Sequence, residues 1–127
     1  MPVRAKILLV DDEPFILSAV GGVLRTSGFE VHTCEMWAGV ANTVRQEEPD
    51  IVLLDYNMPM IKGDDICQIL KRNITNSTMK IVLFSSEAEA TLIRIVSECG
   101  ADGYIRKNTP GPILVQMLDA MVAELSA

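Results

Sequence analysis

The 127-residue chain has no excess of positive charge: 17 acidic side chains stand against 11 basic ones, for a formal charge of −6. Surfaces that hold a nucleic-acid backbone are basic, so direct nucleic-acid contact by this chain is not expected. No apolar run approaches the ~20 residues that span a bilayer, and Met1 to Lys6 is too short for a signal peptide. A cytoplasmic chain without membrane contact is therefore expected. Cys34, Cys67 and Cys99 are odd in number and lack metal-site spacing, so they read as reduced, buried small hydrophobes. No glycine-rich turn follows the first apolar run, which argues against nucleotide binding. Internal repeats, linkers and low-complexity segments are also missing. The sequons at Asn73 and Asn76 signify only a polar loop.

What the chain does contain is alternation. Hydrophobic residues make up 49% and charged residues 22%, the balance of a single domain with a real core. Lys6 to Val10 is a β-type run, stopped by Asp11-Asp12-Glu13. Pro14 suits the first turn of a helix, whose Leu17, Val20, Val23 and Leu24 share one face and which Gly28 closes. Glu30 to Cys34 reads as a second strand. Trp37, Val40, Ala41 and Val44 mark a second helix, with Trp37 packed inward, ended by Pro49. Ile51 to Leu54 is an apolar strand running into Asp55. Gly63 to Arg72 reads as a third helix, with Ile66, Ile69 and Leu70 inward and Asp64 and Asp65 in its first turn, followed by a loop to Met79. Lys80 to Phe84 is a fourth strand ending at Ser85-Ser86, and Ala88 to Cys99 a fourth helix stopped by Gly100. Gly103 to Ile105 is a fifth strand. Ile113, Leu114, Met117, Leu118, Met121, Val122 and Leu125 then form one face of a fifth helix. Strict alternation with uniformly apolar strands predicts a doubly wound α/β domain, a five-stranded parallel sheet with five helices.

Open α/β sheets bind ligands beyond the carboxyl ends of their strands. Those ends carry Asp11, Asp12 and Glu13, then Asp55 and Asn57, then Ser85 and Ser86, and finally Lys107. Clustered carboxylates repel and raise one another's pKa unless a cation joins them. Magnesium prefers oxygen ligands and bridges to phosphate. Asp55 can then serve as a nucleophile on phosphorus, with Lys107 supplying charge and the Ser85 hydroxyl a hydrogen bond.

Leu8-Leu9-Val10-Asp11-Asp12-Glu13-Pro14, Leu53-Leu54-Asp55-Tyr56-Asn57-Met58-Pro59, Phe84-Ser85-Ser86 and Tyr104-Ile105-Arg106-Lys107 resemble the motifs of two-component response regulator receiver domains, in order and over essentially the whole chain. The resemblance implies a flavodoxin-like sheet of strand order 2-1-3-4-5. It also implies that Asp55 accepts a phosphoryl group from a sensor histidine kinase or phosphotransfer protein. Mg2+ would be held by Asp12 directly, Asp11 through water, Asp55, and the backbone carbonyl of Asn57. Lys107 would pair with the phosphoryl group, Ser85 would be the switch hydroxyl, and Tyr104 the aromatic that turns inward with it. The face of helix four, strand five and helix five would signal to a downstream protein target or a fused effector domain, with phosphorylation-dependent dimerisation as an option. Asn57 and Glu87 resemble a pair found in chemotaxis regulators, implying a short-lived phosphoryl group. Such a chain is a switch with self-catalysed phosphotransfer and dephosphorylation, not a metabolic enzyme. It is expected to be one receiver over residues 1–127 with no effector domain in this chain.

One position departs from the family. Asn108 follows Lys107 where proline, with a cis peptide, is usual. A non-proline cis bond costs about 2.5–4 kcal/mol, which makes the reach of Lys107 the open point. Two other readings remain at this level. A degenerate receiver would bind partners constitutively. A phosphatase-type hydrolase would need a D-x-D pattern after strand one, which Asp11-Asp12-Glu13-Pro14 does not fit. Asp11 and Asp12 could also merely cap the first helix, and His32 reads as a half-exposed structural residue.

Overall fold

The computed structural model describes residues 4–58, 61, 62, 65, 67, 68, 70, 71 and 78–125, without the side chains of 58, 61, 62 and 125. Five parallel strands form the sheet: β1 (Lys6–Val10), β2 (Glu30–Cys34), β3 (Ile51–Asp55), β4 (Lys80–Ser85) and β5 (Gly103–Arg106). Their spatial order is β2-β1-β3-β4-β5, as the resemblance implied. The helices are α1 (Pro14–Thr26), α2 (Val40–Glu47), α4 (Glu89–Cys99) and α5 (Gly111–Leu125). Between β3 and β4 the expected third helix, here α3, is helical at 65, 67, 68, 70 and 71. Ile66, Ile69, Asp64, Arg72 and the sequons at Asn73 and Asn76 lie outside the described residues.

The apolar runs become strands because each feeds two cores at once. In β1, Leu8 and Val10 join Val52 and Leu54 of β3 and Ile81 and Leu83 of β4 on one side, against α2, α3 and α4. Ile7 and Leu9 join Ile51, Leu53, Val82 and Phe84 on the other, against α1 and α5. Each face therefore demands an apolar residue, and the period-two pattern vanishes. Every residue of β1 from Ile7 to Val10 is fully buried, as are Ile51 to Leu54. At ~1.5–3 kcal/mol per large side chain, this burial dominates the stability of the fold.

Two aspartates fasten the amino ends of the strands. Asp50 Oδ2 accepts from the Lys6 backbone N–H at 2.8 Å, while the Asp50 N–H donates to Lys6 O at 2.8 Å. Asp102 repeats the device on β4, accepting from Ile81 N at 2.8 Å and donating to Ile81 O at 2.8 Å.

Several expectations need correction. Trp37 opens a short 3₁₀ turn (Trp37–Gly39) before α2 and is 40% exposed, because that turn carries it off the sheet. Val23 and Ile113 are also exposed, since α1 and α5 cover only part of each other. Cys34 is half-buried because β2 is an edge strand, whereas Cys67 and Cys99 are buried. Helix α1 stops at Thr26, Ser27 occupies its cap, and Gly28 follows at φ +100°, a left-handed conformation that suits glycine. An antiparallel ribbon, Asn57–Met58 with Ile61–Lys62, follows β3 and was not foreseen.

Candidate functional site

Parallel register brings the strand ends to one edge. Val10 pairs with Leu54, so Asp11 follows β1 just where Asp55 ends β3. Asp55 in turn pairs with Phe84, placing Ser85 one step further, and Ser85 pairs with Arg106, one residue before Lys107. Asp11, Asp55 and Ser85 are the buried polar residues among those described.

Lys107 joins the carboxylates. Its Nζ lies 2.9 Å from Asp11 Oδ2 and 3.2 Å from Asp55 Oδ1. It also sits 5.9 Å from the centroid of the Phe84 ring, which shields one side of the ammonium. The backbone N–H of Lys107 donates to Ser85 O at 2.9 Å, fastening the loop to β4. There is no cis peptide bond among the described residues, so Lys107 reaches both carboxylates through a trans Lys107–Asn108 link. Proline after the lysine is therefore not needed for that reach.

Burial, followed by the charge of Asp11, raises the Asp55 carboxyl above its ordinary range, and Lys107 offsets only part of the rise. Burial lowers the Lys107 ammonium, but its hydrogen bond to Asp11 and the charges of Asp55 and Asp11 outweigh this and raise it overall. Asp55 Oδ1 accepts from Asn57 N at 3.1 Å, and Asp11 Oδ1 accepts from Glu13 N at 2.9 Å. These turns aim the second oxygen of each acid elsewhere. Glu13, not Asp11 or Asp12, occupies the cap position of α1 and makes no side-chain cap bond, so capping does not account for the acidic run.

Ligand oxygens of Asp11, Asp12 and Asp55 all lie within 4.8 Å of one another. Asp11 Oδ2 is buried and ion-paired with Lys107. Three clustered carboxylates, two of them buried and only partly offset by the Lys107 ammonium, make an all-oxygen set that fits a hard divalent cation such as magnesium.

The remaining expected residues line the rim. Ser85 Oγ accepts from Glu87 N at 3.0 Å. Asn57 Nδ2 donates to Glu87 Oε1 at 3.2 Å, bridging the ends of β3 and β4 across the mouth. The Tyr104 hydroxyl donates to the Glu89 carboxylate on α4, a bond that raises the phenol's pKa. Glu89 was missed as a partner, although its place in the first turn of α4, just after the Ser85-Ser86 strand end, was a usable signal. Tyr104 and Glu89 border a groove of ≈ 450 Å³ that includes Arg106, Asn108 and Met117.

Comparison with known proteins agrees with this geometry. The model of the response regulator receiver domain family matches residues 7–119. The DNA-binding response regulator MtrA of Mycolicibacterium smegmatis is 33% identical over 104 residues, which are 82% of this chain and 44% of that protein. The transcriptional regulatory protein CseB of Streptomyces coelicolor is 28% identical over 119 residues, 94% of this chain and 50% of that protein. The chain thus spans about half the length of the curated relatives it matches. Among solved structures, the BeF3-activated receiver domain of Klebsiella pneumoniae RstA superposes with a TM-score of 0.82 at 28% identity, covering 92% of this chain and 97% of that one. Vibrio cholerae CheY4 superposes with a TM-score of 0.85 at 23% identity, covering 92% and 98%, and so speaks for the fold alone.

These relatives correct the expected partner set, which joined a kinase and a protein target or effector and set nucleic acid aside. MtrA is DNA-binding by name, in a protein more than twice as long as the matched part. Net charge misled because it describes the receiver's own surface and carries no information about the rest of such a protein. No helix among the described residues is long and apolar enough to cross a membrane. Aspartyl phosphate and magnesium are standard for receiver domains, and the carboxylate cluster sits where that chemistry is expected. From its matched residues, its strand order and its relatives, this chain belongs to the response regulator receiver domain family.

Proposed function

We propose that Asp55 accepts a phosphoryl group from the phosphohistidine of a sensor kinase, and that the chain converts this event into a changed face formed by α4, β5 and α5. The carrying observation is that Asp55, 2% exposed and raised in pKa, lies 3.2 Å from Lys107 and within ligand distance of Asp11 and Asp12. An Asp55 carboxylate oxygen attacks phosphorus and the bond from phosphorus to the kinase imidazole breaks. Lys107 then neutralises charge on the transferred group, and the Ser85 hydroxyl donates a hydrogen bond to it. Magnesium, when held by Asp11, Asp12, Asp55 and the Asn57 carbonyl, supplies the positive charge that lets the acids and the phosphoryl oxygens approach.

Turning Ser85 toward the phosphoryl group withdraws its oxygen from Glu87 N, just before α4 begins. Tyr104, held outward by Glu89, is then free to follow inward, which reshapes the groove between α4 and α5. In a longer protein resembling MtrA, this face would govern the DNA-binding portion. The Asn57–Glu87 bridge leaves the mouth polar and supports a short phosphoryl lifetime. A lifetime of many hours in purified protein would contradict that part.

Beryllofluoride, a phosphoryl mimic, tests the site. With magnesium it should bind the native chain, bind at least about tenfold more weakly after Asp12→Asn, and fail to bind after Asp55→Asn. Failure to bind the native chain would favour a constitutive interaction module instead.

A further inference from the structure

Away from the acidic edge, two thiols meet in the core. Cys67 on α3 is fully buried and Cys99, the last residue of α4, is 7% exposed. The Cys67 thiol donates to the backbone carbonyl of Cys99 at 3.8 Å and also contacts the Cys99 thiol. Both belong to the same packed cluster as Leu70, Ile81 and Ile95. Lys71, one turn beyond Cys67, is ion-paired at 2.9 Å with Asp102, the residue that fastens β5 to β4. The α3 segment and the end of α4 are thus already held side by side at this point.

We propose that Cys67 and Cys99 form a dithiol pair that hydrogen peroxide closes to a disulfide, tying α3 to the C-terminal end of α4. Cys99, the more accessible thiol, attacks as thiolate. An S–O bond forms, the O–O bond breaks, and the released hydroxide takes up a proton to give water and a Cys99 sulfenic acid. Cys67 then loses its proton and its sulfur attacks Cys99. The S–S bond forms as the S–O bond breaks, and a second water leaves. Two thiols and one hydrogen peroxide thus give one disulfide, with the peroxide reduced.

Burial first, then the neighbouring Cys99, push the Cys67 thiol up to about 12. Thiolate at Cys67 is therefore scarce, which suits this sulfur to the second, resolving step and not to the first attack. Once Cys99 is a neutral sulfenic acid, the part of the Cys67 rise that comes from Cys99 is relieved, while the larger part from burial remains. The product pins the last turn of α4, where Gly100 at φ +80° leads toward β5, while leaving Glu89 at the other end free to release Tyr104.

The test uses the full chain carrying Cys34→Ser, which removes the half-buried third thiol, treated with hydrogen peroxide from pH 6 to pH 8 and alkylated afterwards. The expected result is an intact mass lower by two hydrogens and a cross-linked peptide joining Cys67 to Cys99. Its rate should rise from pH 6 to pH 8, because the thiolate is the nucleophile. Cys99→Ala should abolish the cross-link, and native beryllofluoride binding should be unaffected by that change, separating this proposal from the Asp55 reading. The proposal is overturned if both thiols stay reduced until the chain is unfolded in urea. Separate over-oxidation of each sulfur without a cross-link would overturn it equally.

Discussion

At the scale of single residues, the acidic edge trades stability for chemistry. Asp55 is raised above its ordinary pKa, so in folding terms its protonated form is the favoured one. Its contribution is fully present below the unfolded carboxylate value and is lost as pH rises through the folded value. At neutral pH the charged form therefore strains the fold. Asp55→Asn keeps the shape and removes the charge, and should stabilise the protein by about 1 kcal/mol, or a few degrees in Tm. Thermal melts with and without magnesium would show it, and a large loss of stability would contradict the electrostatic account.

Glu30 runs the other way. Its hydrogen bond to His32, followed by Lys6, holds its carboxyl below the usual range despite some desolvation. That contribution is present above the unfolded value and lost as pH falls through the folded one. Carbon-detected titration of Glu30 should give a midpoint below the ordinary glutamate value, moving upward in His32→Ala; an unmoved midpoint would remove His32 as the cause. The acids and the lysine were legible because strand ends have only one place to converge. Trp37, Val23 and Ile113 were not: an apolar side chain does not say whether a neighbouring helix extends far enough to cover it.

At the scale of elements, the strands were legible for a physical reason. Parallel strands sandwiched by helices need apolar residues on both faces, and Ile7 to Val10, Ile51 to Leu54 and Ile81 to Phe84 have nothing else. Their ends shifted by a residue because hydrogen-bond pairing continues into Asp55, Ser85 and Arg106, whose polarity marks the site and not the end of the ladder. The Asn57–Met58 ribbon was not legible, being a two-residue pairing decided by local backbone geometry. The Asp50 and Asp102 fasteners were missed because a lone aspartate before a strand looks like any turn residue.

Gly100, by contrast, was read as the stop of α4, and its φ of +80° explains why. A Cβ there would meet nothing within 4 Å, so Gly100→Ala is a pure test of backbone strain. It should cost about 1 kcal/mol in denaturant unfolding with the slope unchanged. A neutral or stabilising result would mean that the turn is free to relax.

At the scale of the molecule, the sheet gathers charge that the fold by itself does not balance. Lys107 neutralises part of it, and the cluster of Asp11, Asp12 and Asp55 marks where a cation belongs. Any ion bound only by the folded state stabilises that state by mass action. Magnesium at about 100 times its Kd should therefore raise unfolding stability by about 2.7 kcal/mol, with little gain in Asp12→Asn. The family, the fold and the position of the acids were readable in the sequence. The company such a receiver keeps was not, because net charge describes a surface and not the protein that carries it.

The central claim is that Asp55 is the phosphoacceptor. Incubating the native chain and Asp55→Asn with acetyl phosphate and magnesium, then measuring intact mass under conditions that preserve acyl phosphates, tests it most directly. The native chain should gain the mass of one phosphoryl group and Asp55→Asn none. No gain in the native chain, or an equal gain in both, would contradict the account.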